Sequence, residues 1–156
     1  MYVGRIMHTN LITVSPNATL VEARELIEKW AIDHLLVVGN KGKLVGIISD
    51  RDLKQYWASP ANTLSTHELG YLLEKILVEM ILVNRVVSIT TETTIERDDF
   101  IMQVNNIMSL PVMEDEDLVG IITSTDVMGV LLEAIVLNEV SVRITVLVKD
   151  RIGAIY

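Results

Sequence analysis

Apolar positions along the chain switch between two spacings, and the switch occurs twice. Leu20, Ala23, Leu26, Ile27 and Trp30 recur at intervals of three and four, which places them on one helix face. Thr19 stands just before them with Glu22 three residues on, so a hydroxyl and a carboxylate occupy the two positions of a reciprocal N-terminal cap. Shorter runs flank this helix. Asn10 to Val14, closed by Ser15-Pro16-Asn17, and Ile32 to Val38, closed by Gly39-Asn40-Lys41-Gly42, read as strands ended by turn residues. Leu44 to Ile48 supplies the second arm of a hairpin, and Asp52 opens a helix through about Trp57. One unit is therefore strand, helix, strand, strand, helix, with the helices on one side of a small sheet.

The same order returns in the second half. Val3 to Val38 aligns with Val78 to Met113 at an offset of 75, one residue is lost in the Asn40 to Lys43 turn, and the match continues to Leu53 over Val127. Gly46-Ile47-Ile48-Ser49-Asp50-Arg51-Asp52 reappears as Gly120-Ile121-Ile122-Thr123-Ser124-Thr125-Asp126, which identifies a tandem duplication. The second unit is predicted as a strand at Val86 to Ile89, a helix from Thr94 to about Val104, a hairpin of Leu110 to Met113 and Leu118 to Ile122, and a helix from Asp126 to about Leu137. Arg97 stands where the first unit has Glu22, and Asp98 where it has Ala23, so the second long helix is expected to be the less well capped and the more easily loosened. Between the units, Ala58 to Thr66 reads as a loop. Ser65 to Glu68 then caps a helix carrying Leu69, Leu72, Leu73 and Ile76, expected to pack across the pair. Val142 to Val148 alternates as a strand and turns at Lys149 to Gly153. The resulting limits are 1–57 and 78–137 for the repeats, 58–77 for the linker with its bridging helix, and 138–156 for the tail.

Composition and charge narrow the partners. With 21 acidic against 13 basic side chains and a net charge of −8 over 156 residues, nonspecific wrapping of nucleic acid is not expected. The absence of Cys removes disulfides, thiolate nucleophiles and Cys-based metal sites. The first residues lack the apolar core of a signal peptide, and no apolar run reaches the roughly 18 residues of a membrane helix, so a cytoplasmic protein without a membrane partner is expected. His8, His34 and His67 form no spaced metal motif, no Ser sits in a nucleophile elbow, and the motif glycines lack the spacing and the Lys of a phosphate loop. No enzymatic role is expected.

Asp52 and Asp126 remain. Either alone reads as a helix cap. With Ser49 and Thr123 three residues earlier, each also matches a carboxylate that accepts from the vicinal hydroxyls of a ribose. Ile12, Val14 and Ile47, and in the second copy Val87, Ile89 and Ile121, offer walls for a purine or belong to the core. Phosphate groups would meet Arg51 in the first copy, together with His34 unless that residue is merely edge-of-strand surface. Ser109 and Thr125 occupy the equivalent positions of the second copy and carry no charge.

Two β-α-β-β-α units that each end in Gly-Ile-Ile-Ser/Thr-x-x-Asp resemble a pair of cystathionine-β-synthase (CBS) domains, the Bateman module, over about residues 1 to 137. Ser59 to Ile76 resembles the linker of the acetoin-utilisation protein B type, and Val142 to Gly153 is similar to the opening of a C-terminal ACT domain, here truncated. The resemblance implies an α+β fold with the tandem CBS repeats in pseudo-twofold arrangement and two clefts for AMP, ADP, ATP or S-adenosylmethionine. It further implies a homodimer formed through the helices and a non-catalytic regulatory role toward a linked domain or partner protein. Carried onto this chain, it has Asp52 and Asp126 hold the ribose, and Ser49, Arg51 and Thr123 lie toward phosphate. Thr13, Val87, Asp33-His34-Leu35 and Ser109-Leu110-Pro111 would line the base or phosphate. Three departures stand out: Leu36 replaces the Pro that Pro111 retains, Asp98 replaces a small residue, and the second motif has no Arg. The second cleft is thus expected to be empty, weak or tuned to a less anionic ligand. The alternative is a structural homodimerisation module with non-functional clefts.

Overall fold

The computed structural model describes the backbone of residues 1–61, 64–82 and 85–153, and the side chains of 1–58, 64–82 and 85–138. In the first repeat β1 (Thr13–Val14) runs parallel to β2 (His34–Val38), which pairs antiparallel with β3 (Leu44–Ser49) in the order β1-β2-β3. Between β1 and β2 lies α1 (Leu20–Trp30), and α2 (Asp50–Ala61) follows β3. The expected cap of α1 forms: Thr19 N donates to Glu22 Oε2 at 2.7 Å, and Glu22 N donates to Thr19 Oγ1 at 3.2 Å. Leu20, Ala23 and Ile27 of α1 and Leu53 of α2 pack against Leu35, Val37 and Ile48, so both helices cover one sheet face. Trp30, at the end of the predicted stripe, is 49% exposed.

The second repeat repeats this topology with β4 (Ile89–Thr90), α5 (Ile95–Asn105), β5 (Ser109–Glu114), β6 (Asp117–Thr123) and α6 (Ser124–Gly153). The likeness extends to details. Both hairpins shift register at equivalent residues, Val37/Val38 and Val112/Met113, and both long helices end on a left-handed residue, Ala31 at φ 50° and Asn106 at φ 53°. The expected loss of the reciprocal cap on α5 is observed. Thr94 Oγ1 still accepts from Arg97 N at 3.3 Å, but no carboxylate returns the bond.

The leading segments of the two repeats are exchanged. Val3 N donates to Thr93 O and Gly4 N to Thr91 O, and Val3 is fully buried in the core of the second repeat. Reciprocally, Val78 N donates to Ala18 O and Glu79 N to Pro16 O, and Val78, in the short helix α4 (Val78–Ile81), is fully buried in the first core. Leu36 is 1% exposed although it belongs to neither helix-covered core. With a strand period of two it lies on the sheet face opposite Leu35 and Val37, the face away from α1 and α2.

Three expectations are corrected, the first being that α2 runs on to Ala61, into the stretch Ala58 to Thr66 expected as a loop. Helix α3 (Thr66–Leu73) has its predicted Ser65–Glu68 capping box, but Leu69, Leu73 and Ile76 join the first core rather than bridging the pair, and Leu72 and Met80 stay exposed. The strand expected at Val142 to Val148 is also not formed, because α6 continues through it to Gly153. Extending an existing helix avoids the cost of nucleation, and Val136, Val140, Ile144 and Leu147 also satisfy a helical spacing. The likeness of this stretch to an opening ACT strand therefore has no counterpart in its backbone. No helix among the described residues is long and apolar enough to cross a membrane.

Candidate functional site

Each motif closes on itself where a strand becomes a helix. Ser49 donates to Asp52 Oδ2 through both its N–H, at 2.9 Å, and its Oγ, at 2.6 Å, and Asp52 N donates back to Ser49 Oγ at 3.1 Å. In the second motif Thr123 N and Oγ1 donate to Asp126 Oδ2 at 2.8 and 2.7 Å, and Asp126 N returns a bond of 3.4 Å. Both pairs are reciprocal caps that use one oxygen of the carboxylate. The capping reading and a ligand-binding reading are therefore compatible, because Oδ1 takes no part in the cap.

The hairpins bring further expected residues to these strand ends. His34 stands opposite Ser49 and Ser109 opposite Thr123, while Asp50 N donates to Asp33 O and Ser124 N to Met108 O, both at 2.9 Å. Asp33, His34, Ser49, Arg51 and Asp52 are thus gathered at one end of the first sheet, with Arg51 and Asp52 exposed. Thr13, exposed in β1, is paired with Leu36, and half-buried Val87 packs against the second core. Leu35 and Leu110 are fully buried in the two cores, so their side chains line no open surface, and Pro111 is buried opposite Ile121.

The two ends differ in electrostatics. Burial pulls the His34 imidazole below its ordinary value, against the opposing pull of Asp33 and Asp52. His34 is accordingly neutral at neutral pH, which leaves Arg51 as the cation of the first end. Burial alone would raise the Asp126 carboxyl, but hydrogen bonds from Thr123 and His8, with the charge of His8, hold it below the ordinary range. His8 Nε2 lies 2.9 Å from Asp126 Oδ1, on the oxygen that the cap leaves over. Among the described residues no equivalent partner meets Asp52 Oδ1.

His8, Met7 and Leu82 were not singled out by the motifs, yet they shape both ends. A Cβ on Gly46 would fall 2.5 Å from Leu82 Cδ1, and one on Gly120 would fall 2.5 Å from Met7 Sδ. Met7 and Leu82 are equivalent at the 75-residue offset, so each motif glycine is small because the other repeat's leading segment crosses it. That shared offset was the available signal. Two open depressions, of about 450 Å³ beside Arg5 and Glu92 and about 350 Å³ beside Trp57 and Leu69, have neither Asp52 nor Asp126 in their walls. Among the described residues no cluster of His, Asp or Glu is placed to hold a metal ion.

A duplicated β-α-β-β-α unit whose sheet ends are closed by Ser/Thr-x-x-Asp caps is the signature of a regulatory domain pair. The chain belongs to the CBS domain family, whose model matches residues 3–59 and 78–133. CBS domain pairs are non-catalytic regulatory modules, and this chain is one of them rather than an enzyme. A CBS domain-containing protein of Dictyostelium discoideum is 28% identical over 142 residues, 85% of this chain and 92% of that protein. The inosine-5′-monophosphate dehydrogenase of Methanocaldococcus jannaschii is 34% identical over 120 residues, 76% of this chain but only 21% of the dehydrogenase. Among solved structures, a CBS domain pair in complex with 5′-methylthioadenosine and S-adenosyl-L-methionine aligns with a TM-score of 0.74 and 27% identity, covering 86% of this chain and 98% of that one. The Vibrio cholerae protein named as an acetoin utilization protein (AcuB) aligns with a TM-score of 0.72 at 27% identity, over 89% of this chain and 96% of that one.

Proposed function

We propose that this CBS pair is a sensor of adenosine-containing metabolites, with one site at each motif and the ribose held by Asp52 and Asp126. The observation that carries the reading is the repeated carboxylate whose Oδ2 is fixed by a Ser or Thr while Oδ1 stays out of the cap. Two vicinal hydroxyls need an acceptor already held in place, and a capped carboxylate has little freedom left to lose. The relative crystallised with 5′-methylthioadenosine and S-adenosyl-L-methionine supports adenosyl chemistry. At the first site Arg51, with Ser49, neutral His34, Asp33 and Thr13, suits AMP, ADP or ATP. At the second, Thr123, Ser109, Val87 and Pro111 accompany Asp126 and no motif Arg is present. Binding regulates a linked domain or partner if the ligand prefers one arrangement of the repeats. The exposed apolar row Leu131, Leu132, Ile135 and Val136 on α6 supports assembly as a homodimer. The linker likeness and the AcuB alignment support an acetoin-utilisation type of CBS protein.

The test is calorimetric titration of nucleotide-stripped protein with AMP, ADP, ATP and S-adenosylmethionine, repeated on Asp52→Ala and Asp126→Ala chains whose folding is checked by circular dichroism. Saturable binding that each substitution weakens at least tenfold at its own site is expected. No heat with any ligand, and no thermal shift, would leave the dimerisation module as the function.

A further inference from the structure

Asp52 and Asp126 are alike in their caps and unlike in what meets the remaining oxygen. Thr123 N and Oγ1 both donate to Asp126 Oδ2, and His8 Nε2 donates to Oδ1 at 2.9 Å, so each oxygen of this carboxylate already accepts a hydrogen bond. The imidazole arrives on the leading segment of the other repeat, and backbone pairing aims it. His8 N donates to Ile121 O at 2.9 Å and Ile121 N to His8 O at 3.0 Å, and Ile121 belongs to β6, the strand that leads to Asp126. Met7, beside His8, closes over Gly120 in the same way. The Asp126 side chain is only 18% exposed, whereas Asp52 is exposed. At the 75-residue offset His8 corresponds to Val83, a side chain with no hydrogen-bonding group, so the sequence provides this contact in one repeat only.

We propose that His8 is a built-in competitor for the second site: it holds the Asp126 oxygen that a ribose needs, and ligand binds there as the imidazole swings away. The inference rests on the ribose reading of Asp126 and deepens it by naming what regulates that site. Vicinal hydroxyls are two donors, and a carboxylate whose Oδ2 already takes two hydrogen bonds offers them Oδ1 alone. A ring nitrogen 2.9 Å from Oδ1 fills one of its acceptor positions and stands in the approach to it. Release is local. The His8 side chain is 62% exposed and its pairing with Ile121 does not involve the ring, so rotation about its side-chain bonds frees Oδ1 and returns the imidazole to water. The loss is one charge-assisted hydrogen bond, which lowers the apparent affinity about tenfold relative to an open Asp126.

The experiment isolates the second site in the whole chain with Asp52→Ala and titrates it with AMP and with S-adenosylmethionine by calorimetry at neutral pH. The titrations are repeated after adding His8→Val, which copies the residue of the other repeat, or His8→Ala, with folding checked by circular dichroism. Both His8 substitutions are expected to tighten second-site binding about tenfold. In an Asp126→Ala chain, where the first site remains, they should change binding by less than about twofold. Imidazole NMR of the chain that keeps His8 gives a second readout: saturating ligand should move the His8 Nε2 signal to that of a ring in water. Unchanged affinity in both substitutions overturns the competitor and leaves nucleotide sensing intact. Weaker binding in both would make His8 a positioning residue of the site and overturns it as well. An Nε2 signal unmoved at saturation overturns it even where the substituted chains fail to fold. Binding confined to the first site, with the second silent whether or not His8 is present, likewise overturns the inference alone. Absence of binding by every chain overturns both.

Discussion

Asp52 and Asp126 divide their carboxylates in the same way: one oxygen caps a helix and the other takes no part in the cap, and in Asp126 that second oxygen meets His8. Asp98 on α5 is their counterpoint, a fully buried carboxylate whose oxygens have no hydrogen-bond partner among the described residues. Its folded value of about 6 lies above its ordinary 3.8, so the folded chain retains a proton that the unfolded chain has released between these values. The Asp98 contribution to stability is therefore most favourable below about pH 4 and is lost as pH rises through about 6. Asp98→Asn is expected to stabilise the chain at pH 7.5 by roughly 1–3 kcal/mol, with the advantage shrinking toward zero near pH 4. Urea midpoints of both chains across that range check it. A variant no more stable than the parent at pH 7.5 would mean that the carboxylate has found a partner.

At the scale of elements, the local code was read well and the crossing segments were not. Thr19 with Glu22 and Ser65 with Glu68 announce their caps because the bonds span only three residues, and the β2-β3 hairpin follows from the five-residue connection Gly39 to Lys43. Met7 and Leu82 are invisible to such rules, because their partners Gly120 and Gly46 lie far along the chain in the other repeat. Val142 to Val148 fits both a strand and a helix period, and the absence of any helix breaker between Gly129 and Gly153 decides it for α6. The glycine contacts make a sharp test. Gly46→Ala drives a methyl into Leu82, whose Cγ, Cδ1 and Cδ2 all fall within 2.8 Å of the new atom, and should cost about 1–3 kcal/mol. Gly120→Ala meets the end of a flexible Met7 and should cost less. Thermal or urea unfolding of Gly46→Ala with and without Leu82→Ala decides the matter: the second substitution should recover part of the loss, and an additive loss would disprove the contact.

For the whole molecule, exchange of leading segments means that neither half of the sequence contains a complete core. Val3 begins the first repeat and is buried in the second, and Val78 does the reverse. On the proposed sensing role, a ligand that altered the spacing of the repeats would have to move these segments, and His8, which joins the first leading segment to Asp126, would be the route by which one site could inform the other. The same exchange predicts one cooperative unfolding unit rather than two domains in series. Val3→Ala and Val78→Ala should each cost about 1–3 kcal/mol by leaving space in a packed core. Each should shift a single urea transition, with hydrogen exchange accelerated in β2-β3 and in β5-β6 alike, whichever valine is shortened. Their separate cores should make the double substitution close to additive. Two resolved transitions, with Val3→Ala weakening only β5-β6 and Val78→Ala only β2-β3, would show that the repeats fold independently despite the exchange, and would remove the leading segments as the route by which one site informs the other.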